Sequence, residues 1–285
     1  MRSTDGVKIL PADAPLFNLR IPCGQCIGCR LERSRQWAIR CMHEASSFDN
    51  NCFITLTYDD ASLPEDRSLD YSHFQLFMKR LRKFRSNDRI RFYMCGEYGE
   101  TYERPHYHAI LFGIDFPDKE VFSVRKGVRL YTSEELSRLW PYGFTTIGDV
   151  TFESCAYVAR YVMKKVTGKA AEDHYRVVNT ETGELYDRTP EFNRMSLKPG
   201  IGGLWFKRFH TDVFPHDYVV SRGTKAKPPR YYDKMFHRLD AETADEIKNK
   251  RILDAKENWQ DNTPARRAVK EVVAKARISQ LKRSI

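Results

Sequence analysis

The sequence predicts an α+β protein built on a mainly antiparallel central sheet with helices on one face. A Cys-rich N-terminal segment and a helical C-terminal extension flank that core. Three observations carry this reading. Runs rich in β-branched and aromatic residues alternate with stretches of helical apolar spacing, in the order strand–helix–strand–strand–helix–strand–helix. Two of those runs, "RIRFYMCGEYGE" and "PHYHAILFGI", are joined by a short loop and read as a hairpin. A hydrophobic share of 41% over 285 residues, with 13% aromatics, suffices for a real core.

Taken in order, residues 1–50 hold "CGQCIGC" and then "RLERSRQWAIRCMHEAS", which has helical spacing and no breaker. "NCFITLTYDD" (Asn51 to Asp60) is a strand ending in turn chemistry. In "YSHFQLFMKRLRKFRSN", Phe74, Phe77, Met78, Leu81 and Phe84 form a core-facing stripe, with Lys79, Arg80, Arg82, Lys83 and Arg85 on the solvated side. The hairpin follows, and "VFSVRKGVRLY" reads as an extended excursion between elements. Thr132 and Glu135 make a capping box for a short helix, "SEELSRLW". "PYGFTTIGDV" is a further strand, and "TFESCAYVARYVMKKVTG" a continuous helix stopped at Gly168. These elements make residues 51–170 the core. Residues 171–232 are its Gly/Pro-punctuated, loop-rich continuation, and 233–285 a polar helical extension. The extension ends in "ARRAVKEVVAKARISQLKRSI", where seven basic residues face one acidic residue, Glu271.

The balance of 48 Lys+Arg against 38 Asp+Glu gives +10, which favours polyanionic partners such as nucleic acid. No apolar run approaches the roughly 18 residues of a membrane span. The N-terminal residues lack the apolar block of a signal peptide. A soluble chain made in the cytosol is therefore expected, where closely spaced cysteines point to metal or redox chemistry before disulfides.

Three constellations bear on chemistry. His106 and His108 lie two apart on one strand face, offering half a coordination shell to a divalent metal. Tyr107 between them points to the opposite face. A third, hard ligand would come from Glu97, Glu100 or Glu103, and Glu97, at the end of the neighbouring strand, is the choice that hairpin pairing favours. The alternative is that the imidazoles hydrogen-bond locally. In "YVARYVMKK", Tyr157 and Tyr161 share one helical face, with Arg160, Lys164 and Lys165 around them. This is a buried aromatic stripe or a pair of phenols poised among cations to attack phosphate. Cys23, Cys26 and Cys29, with Cys41 or His43 beyond, could form a structural zinc site. Free thiols or an iron–sulfur cluster are the other readings. Cys52, Cys95 and Cys155 fall inside elements as small buried residues.

"ITLTY", "RPHYHAILFG" and "YVARYVMKK" resemble the three successive motifs of rolling-circle replication initiators, the HUH endonucleases. "PCGQCIGCRLERSRQWAIRC", "GEYGETYERPHYH" and "PPRYYDK" are similar to the gokushovirus branch of microvirus phage initiators in particular. The resemblance implies the HUH endonuclease fold, with Mg²⁺ or Mn²⁺ held by His106, His108 and Glu97. It implies that Tyr157 or Tyr161 nicks single-stranded DNA at the phage origin, leaving a 5′-phosphotyrosyl link and a free 3′-OH. The other tyrosine cleaves the regenerated origin, the ends are rejoined, and Lys164 contacts phosphate or assists the leaving oxygen. Arg160 stands where related initiators often carry lysine. Arginine keeps the charge but is a poor proton donor, which bears on whether the two tyrosines are equivalent.

Arg104, Arg160 and Lys165 are further candidates for DNA contact. The implied setting is the cytoplasm of a bacterial host. No G-x₄-G-K-[ST] loop occurs in the sequence, so a host helicase joins the host polymerase as an expected partner. Two readings compete with this one. One is an HUH transposase or relaxase; the other is a non-catalytic zinc module that binds single-stranded nucleic acid.

Overall fold

The computed structural model describes residues 22–99, 102–125, 127–160, 166, 168, 170–178 and 183–280. The first helix, α1 (Ile27–Ala45), begins inside the cysteine cluster. Strand β1 (Asn51–Tyr58) and helix α2 (Tyr71–Phe84) follow. The hairpin is β2 (Arg91–Tyr98) and β3 (Pro105–Phe112). Then come β4 (Glu120–Arg125), β5 (Val128–Thr132), α3 (Glu134–Leu139), β6 (Gly143–Gly148) and α4 (Phe152–Arg160). The next segment gives α5 (Ala170–Tyr175), the small ribbon β7 (Arg176–Val178) with β8 (Leu185–Asp187), and β9 (Phe192–Met195). It continues as α6 (Gly203–Val213) and a second ribbon, β10 (Val219–Ser221) with β11 (Thr224–Ala226). The extension is α7 (Arg230–Phe236), α8 (Ala241–Glu257), a 3₁₀ turn (Trp259–Asn262) and α9 (Pro264–Gln280).

Seven strands form one sheet in the order β4-β5-β6-β1-β3-β2-β9, with antiparallel pairings throughout. The architecture is α+β around a large antiparallel sheet. Helices cover both faces, however, where the sequence reading put them on one. Ile54, Leu56, Met94, Tyr107, Ala109 and Leu111 point towards α2 and α3. Phe53, Tyr93, Cys95, Ile110 and Phe112 point towards α1 and α4. The reason lies in the strands themselves. β2 and β3 are apolar on successive residues, as a strand buried on both faces must be.

The helix α2 buries Phe74, Phe77, Met78 and Leu81, each contributing roughly 1.5–3 kcal/mol of transfer free energy. Phe84 leaves that stripe. It stands at the last helical position and is 55% exposed. The cap of α3 is Ser133, whose Oγ accepts from the Leu136 N–H at 3.1 Å, one residue later than the capping box suggested. "VFSVRKGVRLY" is no excursion, for it supplies β4 and β5, the outer edge of the sheet. The long helix from Thr151 is seen as α4 up to Arg160; Tyr161 to Lys165 lie outside the described residues.

A third cluster, with Ile39, Phe206, Tyr232 and Phe236, packs α6 and α7 against the outer side of α1. A buried Arg91–Glu44 ion pair locks this layer to the sheet. Glu44 Oε2 also accepts the Gly202 N–H at 2.6 Å, and Arg91 donates to the Pro199 carbonyl at 2.6 Å. Gly202 itself sits at φ +79, with the Tyr232 hydroxyl where a Cβ would stand. No helix among the described residues is long and apolar enough to cross a membrane.

Candidate metal centre and active site

The hairpin register decides the site. β3 lies between β1 and β2, pairing Glu97 with His106 and Thr55 with His108. Directly paired residues share a face, so the two imidazoles and the Glu97 carboxylate converge on the side covered by α1 and α4. Glu97 Oε1 accepts from His106 Nε2 at 2.8 Å and from His108 Nε2 at 2.9 Å. Their ligand atoms lie within 4.8 Å of one another. The loop alternatives do not join this group. Glu103 turns outward to pair with Arg188 at 2.7 Å, and Glu100 lies outside the described residues.

The far side of each ring is anchored. His106 Nδ1 meets the Arg104 carbonyl at 3.0 Å, and His108 Nδ1 meets Thr55 Oγ1 at 2.9 Å. For His106 this is informative chemistry. A carbonyl and a carboxylate both accept only, so both ring nitrogens must carry protons, or a cation must replace the one on Nε2. Two Nε2 atoms and a carboxylate oxygen, with both Nδ1 atoms held from behind, are the donor set of a divalent metal. Burial pushes the Glu97 carboxyl upward, but the hydrogen bonds from His106 and His108 outweigh it and hold the group below its ordinary value. The carboxylate is thus the form in place. The sequence reading assigned no role to Thr55, although a hydroxyl in "ITLTY" on the strand beside the histidines was a usable signal.

Over His108 stands Tyr157 of α4, its ring centroid 5.1 Å away at 82°. Phe53 stacks on the other side of His108 at 5.6 Å and meets Tyr157 edge-on at 6.3 Å. The structure therefore brings the first tyrosine to the triad. Arg160 ends the same helix. Tyr161, Lys164 and Lys165 lie outside the described residues. Arg104 donates to the Tyr58 carbonyl at 2.9 Å and pairs with Asp60. Tyr107, on the reverse face, is buried. Its hydroxyl donates to the Asp70 carbonyl at 2.7 Å and accepts from the Asp70 N–H at 3.0 Å, holding the start of α2.

The cysteines form a separate cluster. Cys23, Cys26 and Cys29 place their sulfurs within 4.8 Å of one another, with 3.9 Å between Cys23 and Cys29. The backbone N–H of Cys26 and that of Gln25 lower the Cys23 thiol to about 7, which favours the ligating thiolate. Cys41 does not reach them. Twelve residues past Cys29 on α1, it is about 18 Å along the axis. It is buried under α4 beside Cys155, and burial raises its thiol well above the ordinary value. His43 is turned away as well, stacked on Trp205 at 3.6 Å with Nδ1 on the Tyr232 hydroxyl at 2.9 Å. Cys52, Cys95 and Cys155 are buried, as their positions inside elements suggested.

Residues 51–166 match the family model of the replication-associated protein ORF2. The chain is 37% identical over 251 residues to the replication-associated protein VP4 of Bdellovibrio phage phiMH2K, an alignment covering 85% of this chain and 75% of that protein. It is 34% identical over 256 residues to the replication-associated protein ORF2 of Spiroplasma virus 4, covering 85% and 76% respectively. The replication-associated protein ORF4 of Chlamydia phage 1 is 37% identical over 241 residues, covering 80% of this chain and 56% of that one. No solved structure matches the chain.

Proposed function

The chain belongs to the family of phage replication-associated proteins, and from that premise we propose that it is a metal-dependent nickase and strand transferase acting on single-stranded DNA to initiate rolling-circle replication. The observation that carries the reading is the meeting of three elements at one point: Glu97 from β2, His106 and His108 from β3, and the Tyr157 ring from α4. Mere binding of nucleic acid needs no such convergence, nor does a core aromatic stripe.

In this reading Glu97, His106 and His108 hold Mg²⁺ or Mn²⁺, which polarises the scissile phosphate and offsets its developing charge. Tyr157 or Tyr161 attacks the phosphorus through its phenolic oxygen. The bond from phosphorus to the 3′-oxygen breaks, the phenol loses its proton, and the departing 3′-oxygen takes one up. The strand is left with a 5′-phosphotyrosyl ester and a free 3′-OH for the host polymerase. The second tyrosine, one helical turn away, cleaves the regenerated origin, and the first ester is resolved by the new 3′-OH. Lys164 assists the leaving oxygen, while Arg104, Arg160 and Lys165 contact the DNA backbone.

This chemistry places the HUH endonuclease core within residues 51–170, continued by 171–232. The Cys-rich residues 1–50 pack on it, and 233–285 extend it with basic helices. Cys23, Cys26 and Cys29 supply three ligands to a structural Zn²⁺. The protein works with a host helicase in the cytoplasm of the infected cell.

The test is an adduct assay on an origin oligonucleotide. The double variant Tyr157→Phe with Tyr161→Phe abolishes the covalent protein–DNA species, and His106→Ala abolishes metal-dependent cleavage while leaving DNA binding largely intact. An adduct that survives the double change, or cleavage that persists in chelator, overturns the proposal.

A further inference from the structure

The sheet register lays four side chains in one row across the face that carries the triad. They are Glu97 on β2, His106 on β3, Thr57 on β1 and Phe144 on β6. Adjacent positions Tyr58, Tyr107 and Thr145 are buried on the opposite face, which fixes the assignment. The row opens outward. The side chain of Glu97 is 2% exposed and that of His106 16%, while Phe144 is 73% exposed. Phe144 is firmly seated despite its exposure. It follows Gly143 at φ +145, where a Cβ would come within 2.5 Å of the Thr57 carbonyl oxygen. The backbone of β6 therefore lies tight on β1, and the phenyl leaves the sheet at a fixed position.

One exposed phenylalanine is ordinary on a protein surface. This one is singular for its position, two strands or about 10 Å from His106 on the same face. Arg104 adds a guanidinium at the same strand end, against the Tyr58 carbonyl beside Gly143. A single strand whose scissile phosphate rests at the triad presents unpaired bases on either side. An aromatic platform gains stacking energy from any base, whatever the sequence. We propose that Phe144 is the stacking platform for a base near the scissile phosphate of the single-stranded DNA substrate. The inference rests on the reading of the triad as the nickase centre and names the group that positions the strand across it.

The experiment measures binding of the full chain to two fluorescent 20-nucleotide strands in the presence of chelator. One is oligo(dT); the other carries abasic spacers throughout. Phe144→Ala weakens binding to oligo(dT) by roughly 5- to 150-fold, the 1–3 kcal/mol of one base stack converted at 1.4 kcal/mol per decade, and leaves the abasic strand unaffected. Phe144→Trp restores oligo(dT) binding, and the introduced indole is quenched on adding that strand. Phe144→Leu, apolar but without a π-face, behaves like the alanine variant. Equal losses on both strands, no loss on either, or full rescue by leucine each overturn the proposal, as does a parent chain that binds neither strand. The nickase reading fails separately. If the parent forms no adduct yet loses oligo(dT) affinity with Phe144→Ala, stacking stands and the chemistry does not.

Discussion

Thr55→Val tests the metal centre through one hydrogen bond. The Thr55 hydroxyl lies 2.9 Å from Nδ1 of His108, while Phe53 and Tyr157 clamp the ring from its sides. Valine keeps the volume and the β-branch, so the ring stays in place, but nothing fixes which nitrogen carries the proton. Loss of such an outer partner weakens metal binding by about 10- to 100-fold, or ~1.4–2.8 kcal/mol. The metal-free chain also loses about 1–3 kcal/mol, because a buried ring nitrogen is left unsatisfied.

Consider Mn²⁺ at 100 times the parent's dissociation constant. The parent gains about 2.7 kcal/mol of stability from binding. A variant bound 30-fold more weakly sees about 3.3 times its own constant and gains only ~0.9 kcal/mol by the same relation. The assay is urea unfolding of both proteins in chelator and in Mn²⁺, with direct titration of Mn²⁺ as the cross-check. If Thr55→Val gains as much from Mn²⁺ as the parent, the hydroxyl does not serve the site, and reading the triad through its outer partners is wrong.

Three further outcomes follow from the structure. Gly202→Ala meets the Tyr232 hydroxyl at 2.5 Å at φ +79; it should lower stability by at least ~2 kcal/mol in urea unfolding, whereas Gly223→Ala, at φ +73 with open space around it, should cost only about 1 kcal/mol. Burial holds the His43 pKa at about 4, against 6.5 when unfolded. The unfolded chain therefore binds the extra proton first, and stability falls as pH drops from 6.5 to 4 by up to about 3 kcal/mol. His43→Gln should flatten that limb of a pH series of unfolding curves, and an unchanged limb would assign the loss to other groups. Removing residues 264–285 takes away the exposed basic helix α9; DNA affinity should fall and its salt dependence become shallower, as measured by anisotropy from low to moderate salt.

Much of this was legible in the sequence because it depends on local periodicity. The spacing of His106 and His108 and the hairpin into Glu97 are short-range facts, so the triad could be anticipated from strand geometry alone. The two-faced cover of the sheet was legible in principle, since "RFYMC" and "HAILF" do not alternate as half-buried strands do. What escaped is long-range. Nothing local shows that Cys41 belongs to the core, because its helix can be rotated only by knowing that Tyr93 and Cys155 lie beneath it. Phe84 looked like core because periodicity does not reveal where a helix outruns the sheet it covers. β4 and β5 read weakly because an edge hairpin exposes Val121, Phe122 and Val124 rather than alternating cleanly.

The seat of the histidines on the central strand has a consequence for how such sequences drift. In an antiparallel sheet covered on both sides, sliding β3 by one residue exchanges its two faces. The slide would send both imidazoles into the aromatic core around Trp140 and bring the Tyr107 phenol to the triad's place. Core and site are therefore written in the same register, and no change of strand length can repair one without losing the other. Variation among descendants of this chain is thus channelled. Residues can be gained or lost in the turn at 99–104, and substitutions can accumulate along β4 and β5, while β1, β2 and β3 keep their count.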